Sequence, residues 1–118
     1  MSRVEFARYA PGQIGKHRVP TLRNVDLRPV PAFAKCFGHN CYFKDLKTFV
    51  HFYNTRLVLP VCAGRGRRPG VDCWHRPEVE ANLNTEELGD LGLTNRDEEA
   101  IVAFMGTLSD GYRPTTSR

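Results

Sequence analysis

The sequence of 118 residues has no long hydrophobic run, and this absence limits what the chain can do by itself. No segment approaches the roughly 20 apolar residues that cross a bilayer as a helix, so we expect no membrane span. Residues 1–20 also lack the apolar core of a secretory signal, so the chain as written carries no export signal. No spacing of Ser, His and Asp, or of two carboxylates, indicates a catalytic constellation.

A strong charge of either sign is also missing, because the formal net charge is only +4. Part of this excess is local, since Arg65, Arg67 and Arg68 lie within residues 64–70. Such a loop could attract an acidic partner or a nucleic-acid phosphate. No aromatic residues alternate with these arginines to stack on bases. We therefore predict a solvated loop and no nucleic-acid binding.

Cysteine is present, and its number is even. Four cysteines would suit two disulfides in an oxidising compartment, whereas free thiols are expected in a reducing cytoplasm. Cys62 and Cys73 flank the arginine-containing loop, and we predict a bridge that closes it. The loop-entropy account gives such a bridge roughly 2–3 kcal/mol of stabilisation.

Ten glycines and eight prolines favour short helices joined by irregular loops. The first predicted helix begins after Asp45, a good N-cap residue, and runs to about Asn54. Its apolar stripe follows the spacing i, i+3, i+4 and i+7. This stripe contains Leu46, Phe49, Val50 and Tyr53. His51 and Phe52 lie off the stripe, so they need solvent or a second contact surface.

A second predicted helix begins after Thr94, and Asp97 completes an acidic variant of the capping box. We expect Gly111 to end this helix. Its predicted buried stripe contains Ile101, Phe104, Met105 and Leu108. Outside the helices, residues 1–16 are predicted to form a flexible arm and residues 113–118 a disordered tail.

Four blocks of the sequence resemble one known family. They are VPTLRNVDLRPVPAF (19–33), FGHNCYFKDLKTFVHFYNTRLVLP (37–60), CWHRPEVEANLNTEELGDLGLT (73–94) and RDEEAIVAFMGTLSDGY (96–112). In this order they resemble the end of the C-terminal domain of bacterial di-haem cytochrome c peroxidases and MauG-like enzymes. The resemblance implies an all-α, partial cytochrome c-like fold over residues 17–112, with short helices and long irregular loops. It also implies a periplasmic location.

The family resemblance further implies a haem cofactor and the reduction of hydrogen peroxide. By position, Tyr53 matches the axial ligand of the haem iron, as in the tyrosine-ligated variant. Tyrosinate is a hard oxygen donor that suits ferric haem. Arg23 in the TLRN block matches a residue that could pair with a haem propionate. His39 matches the His of a turn beside the pocket, although each of the three could instead have a structural role.

The sequence also departs from the family pattern, because it contains no CxxCH motif for covalent attachment of haem. Cys36 and Cys41 are separated by four residues, and Tyr42 follows where the motif requires His. Cys41 stands where the family turn has glycine, so a positive φ there would be strained. These departures suggest a truncated or split gene product, whose partner would be a CxxCH-bearing cytochrome chain or a second copy.

Two haem-free interpretations stay open at this point. In the first, the chain is a structural or zinc-binding module, with zinc held by Cys36, His39 and Cys41 together with Cys62, Cys73 or His75. In the second, the chain is an inactive remnant. The apolar stripe of its last helix would then be exposed and would promote self-association.

Overall fold

The computed structural model describes residues 7–30 and 32–112, and within them the chain is helical with irregular loops. Helix α1 spans Leu46–Thr55, helix α2 spans Asn95–Thr107, and Pro11–Gln13 form a short 3₁₀ turn. The described part has only isolated β-bridges, such as the pairing of Phe37 with Phe43, and no strand. The coarse fold prediction is therefore confirmed. The predicted tail at 113–118 and the start of the predicted arm at 1–6 lie outside the described residues.

Neither helix of the described ranges is long and apolar enough to cross a membrane.

Helix α1 begins and ends through specific hydrogen bonds. The Asp45 carboxylate accepts the backbone N–H of Thr48 at 2.7 Å, as the sequence predicted for an N-cap. At the other end, carbonyls of the last turn have no partner inside the helix. A distant segment supplies the donors: the N–H of Gly89 reaches the Tyr53 carbonyl at 2.6 Å, and the N–H of Leu91 reaches the Asn54 carbonyl. The end of α1 is therefore fixed by residues 89–91.

Helix α2 has the predicted capping box, in which Thr94 and Asp97 bond to each other's backbone N–H. The prediction that Gly111 ends this helix was wrong, because the helix stops at Thr107. The cause is the segment packed on its end, where the N–H of Asn24 donates to the Leu108 carbonyl at 3.1 Å. This contact satisfies a terminal carbonyl before another helical turn can form.

The two helices pack against each other around a small core. The buried apolar residues of this core are Phe37, Phe43, Leu46, Val50, Trp74 and Met105. The prediction for the α2 stripe was wrong for two of its members, because Ile101 is 37% exposed and Phe104 59% exposed. In the described part of the chain α1 is the helix against which α2 packs, and the side of α2 that carries Met105 and Val102 joins the core.

The chain is unusually open for its size. Its accessible surface is 9692 Å², whereas a compact protein of 13.4 kDa exposes about 6,500 Å². The radius of gyration is 17.5 Å, against about 13.5 Å for a compact domain of this length. Much apolar surface is consequently left in contact with solvent, including the outer side of α2.

Candidate functional site

Tyr53 lies on the last turn of α1 with its ring half-buried among aromatic side chains. Its ring meets Phe49 edge-on, with centroids 4.8 Å apart, and packs against Phe52 at 5.9 Å. Its hydroxyl group makes no hydrogen bond with a described residue and is not enclosed by protein. Burial raises the pKa of the Tyr53 phenol, and the positive charge of Arg56 lowers it by a smaller amount. The ring is thus held by packing, and its oxygen is left without a partner.

Arg56 follows Tyr53 by three residues and occupies the C-cap of α1. Its guanidinium lies over the Phe52 ring, with Cζ 6.0 Å from the ring centroid. Two of its nitrogens, Nε and Nη2, are fully buried and have no hydrogen-bond partner among the described residues. Buried donors on a charged group are almost always paired, so this arrangement is costly as it stands.

The side of α1 that carries Phe52 is covered by Trp74, which is 3% exposed. The two rings meet edge-on at 5.1 Å, and the Trp74 indole N–H donates to the Thr55 hydroxyl at 3.1 Å. This is the second contact surface that the sequence pattern required for Phe52 and His51. Phe43 packs against both Phe52 and Trp74, so α1 is held by aromatic rings on this side.

A buried polar network joins α1 to α2. The Glu98 carboxylate accepts the Asn54 amide at 2.7 Å and lies 2.8 Å from Nδ1 of His51. The Asn54 side chain also donates to the Leu93 carbonyl and accepts the Leu93 N–H. Asn54 and Glu98 are both buried, so the bond between them is shielded from water, whereas the bonds to His51 and Leu93 are partly buried. The network fixes the rotation of α1 and therefore the direction in which Tyr53 points.

The TLRN block meets the end of α2. Arg23 donates to the Asp110 carboxylate through Nη2 at 2.7 Å and Nε at 3.1 Å, although both side chains are more than half exposed. Asn24 bonds to the same carboxylate and accepts the Asp110 N–H. An open groove of about 470 Å³ lies between these segments. It is lined by Thr21, Leu22, Arg23, Thr107, Leu108, Ser109 and Asp110, and Tyr53 is not among them.

His39 lies in the turn that follows Cys36 and is exposed. Its Nε2 is 3.2 Å from the Glu78 carboxylate, and its ring stacks on His17 with centroids 4.3 Å apart. Asn40 donates to the other Glu78 oxygen, and these hydrogen bonds lower the pKa of Glu78. The turn therefore holds residues 17 and 78 together, and no contact joins His39 to Tyr53 or Arg23.

All four cysteines are paired, as Cys36–Cys41 and Cys62–Cys73. The zinc interpretation is therefore wrong, because the thiolates that it needs are consumed. No group of three His, Cys, Asp or Glu residues within 7–30 and 32–112 is arranged to hold a metal ion. Cys41 adopts φ 57°, the left-handed conformation that the missing glycine would have taken easily.

Comparison with known proteins places the chain beside two curated relatives. It is 38% identical over 106 residues to the methylamine utilization protein MauG of Paracoccus denitrificans (strain Pd 1222), and the matched region covers 88% of the chain. It is 32% identical over 99 residues to the cytochrome-c peroxidase IdrP1 of Denitromonas iodatirespirans, and this matched region covers 84% of the chain. The chain spans about a quarter of the first relative and a fifth of the second.

These matches show that the chain is related to the MauG-like, di-haem cytochrome c peroxidase family. No protein-family model matches the sequence. No solved structure matches it either.

Three features of the site were not predicted from the sequence: the Asn54–Glu98 network, the unpaired Arg56 and the role of Gly89. Glu98 is one of three consecutive acids at the start of α2, where a negative charge is favourable against the helix dipole without any buried partner. Asn54 occupies the position i+8 from Leu46 and therefore extends the buried face of α1, which was the available signal. Arg56 carried no comparable signal.

Proposed function

We propose that residues 17–112 form one wall of a haem pocket in a cytochrome c-like, peroxidase-family protein, with Tyr53 as an axial ligand of the haem iron. The observation that carries this proposal is the Tyr53 phenol, whose ring is packed on Phe49 and Phe52 at the end of α1. Its hydroxyl makes no hydrogen bond with a described residue and is not enclosed by protein, so it is open to a ligand. An iron ion coordinated by this oxygen would give it the partner that the described residues do not supply.

The residues around Tyr53 fit a porphyrin. Phe49 and Phe52 offer aromatic surface, and Arg56 offers a guanidinium without a described anionic partner, of which Nη1 is not enclosed by protein. When bound, ferric haem would supply the redox chemistry of the family. This chain's own part is to present the phenol oxygen, to hold α1 in register through Asn54, and to keep water from the aromatic side of the helix.

The excess surface of the chain supports a pocket whose other wall comes from elsewhere. A CxxCH-bearing cytochrome segment, which the family resemblance implies, would attach the haem and cover the exposed outer side of α2 at Ile101 and Phe104. The family resemblance implies a periplasmic location, where both disulfides would persist.

Reconstitution with haemin tests this proposal. We expect the purified chain to bind haemin with a Soret band, and Tyr53→Phe to shift that band and weaken binding by at least tenfold. Tyr42→Phe is the matched control, because Tyr42 is exposed and packs on Phe43 instead. A chain that does not bind haemin, or a Tyr53→Phe variant that binds it with an unchanged spectrum, would refute the proposal.

A second copy of the chain is the alternative occupant of the exposed α2 surface. If a second copy covers Phe104, light scattering will report a dimer or larger species that Phe104→Glu returns to a monomer. This result would favour the interpretation of the chain as an inactive remnant if haemin binding were also absent.

A further inference from the structure

The guanidinium of Arg56 is the most unusual polar group in the described part of the chain. Its Nε and Nη2 atoms are enclosed by protein and donate to nothing. Nη1 is not among the enclosed atoms and makes no hydrogen bond with a described residue, so one edge of the group is open to a ligand. The open Nη1 can donate one charge-assisted hydrogen bond to a carboxylate.

The surroundings of Arg56 explain why the group stays in this position. Its stem packs beside Gly89, where a Cβ atom would come within 2.9 Å of Arg56 Cγ. Its head lies over the Phe52 ring, which is a favourable place for a cation. These contacts hold the side chain near Tyr53 but do not neutralise its charge, and no described carboxylate lies within ion-pair distance.

We infer that Arg56 binds a carboxylate of the cofactor that Tyr53 faces, a haem propionate. This inference rests on the proposed function, because it requires haem at Tyr53. A propionate satisfies the chemistry, since it is an anionic, planar acceptor carried on a flexible stem. The ion pair neutralises a charge that the chain itself leaves uncompensated.

Arg23 is the competing residue for this role, because the family resemblance pointed to it. Its guanidinium already donates twice to Asp110, and both side chains form part of the contact that ends α2. A propionate at Arg23 would have to displace that carboxylate. Arg56 has no such bond to break.

Haemin and its dimethyl ester provide the test, because esterification removes both propionate charges and leaves the porphyrin and iron in place. We expect the full chain to bind haemin roughly tenfold more tightly than the ester or better, since a charge-assisted hydrogen bond is lost. Arg56→Gln should reduce this preference to about twofold. Arg23→Gln should keep it, as should Arg76→Gln, which changes an exposed arginine paired only with Glu80.

A second variant, Arg56→Met, serves as the control for effects on folding, because it keeps the apolar stem of the side chain and removes the buried donors. Because the preference is a ratio of two affinities within one protein, a general loss of stability cancels. An unchanged ratio in both Arg56 variants overturns the inference, as does a ratio that collapses in Arg23→Gln instead. If the wild-type chain binds neither porphyrin, the proposed function itself fails. If it binds both equally while Tyr53→Phe still abolishes binding, only the role of Arg56 fails.

Discussion

Replacing Gly89 with alanine should unfold the end of α1 more severely than any nearby glycine substitution. Gly89 is buried at φ 110°, a conformation that residues with a Cβ atom rarely adopt. A Cβ atom there would lie 2.5 Å from Leu57 Cγ and 2.9 Å from Arg56 Cγ. Backbone strain of about 1–3 kcal/mol and overpacking of about 1–3 kcal/mol together predict a loss of roughly 2–6 kcal/mol. Such a loss approaches the whole stability of a marginal domain.

Gly92→Ala is the matched control, because Gly92 also has a positive φ, of 64°, but a Cβ atom added there would meet nothing within 4 Å. It should cost only about 1–2 kcal/mol, the penalty of the left-handed conformation. Urea unfolding followed by helical circular dichroism measures both variants. Equal midpoints for Gly89→Ala and Gly92→Ala would show that the contacts at Leu57 and Arg56 do not limit this position, and the reasoning would be refuted.

Three further predictions concern the buried network, the disulfide loop and acid stability. Glu98→Ala should lower the free energy of unfolding by about 1–3 kcal/mol, because it leaves buried donors unpaired. The control Glu80→Ala, on the surface, should change the free energy of unfolding by less than about 0.5 kcal/mol. Equal losses for the two variants in urea unfolding would contradict this prediction. Replacing Cys62 and Cys73 together with serine should cost about 2–3 kcal/mol through loop entropy, and an unchanged thermal midpoint would contradict it. Stability should fall as the pH drops below about 4.5, because carboxylates whose pKa values are lowered in the folded state must then take up protons; a flat profile of unfolding free energy from pH 5 to pH 2 would contradict it. These carboxylates are Glu78, Asp97, Glu99 and Asp110.

Local features of the sequence predicted both helices and their first residues. Asp45 and Thr94 cap the helices as their side-chain chemistry requires. These predictions succeeded because the interactions are confined to three or four neighbouring residues.

Long-range contacts explain most of what the sequence did not predict. The end of α2 depends on Asn24, more than 80 residues earlier, and the end of α1 depends on Gly89. Neither contact leaves a periodic pattern. The exposure of Phe104 could not be predicted from the periodic apolar pattern either. Such a pattern identifies the apolar side of a helix, but it does not show whether another segment covers that side.

Trp74 is the single tryptophan of the chain, and its position makes it an internal optical probe. One ring, that of Phe52, separates the indole from Tyr53, with centroid steps of 5.1 Å and 5.9 Å. A porphyrin seated at Tyr53 would absorb the indole's emission by energy transfer at so short a range. Titration of fluorescence would then count occupied sites directly, and the same signal would follow every variant above with no label added to the protein.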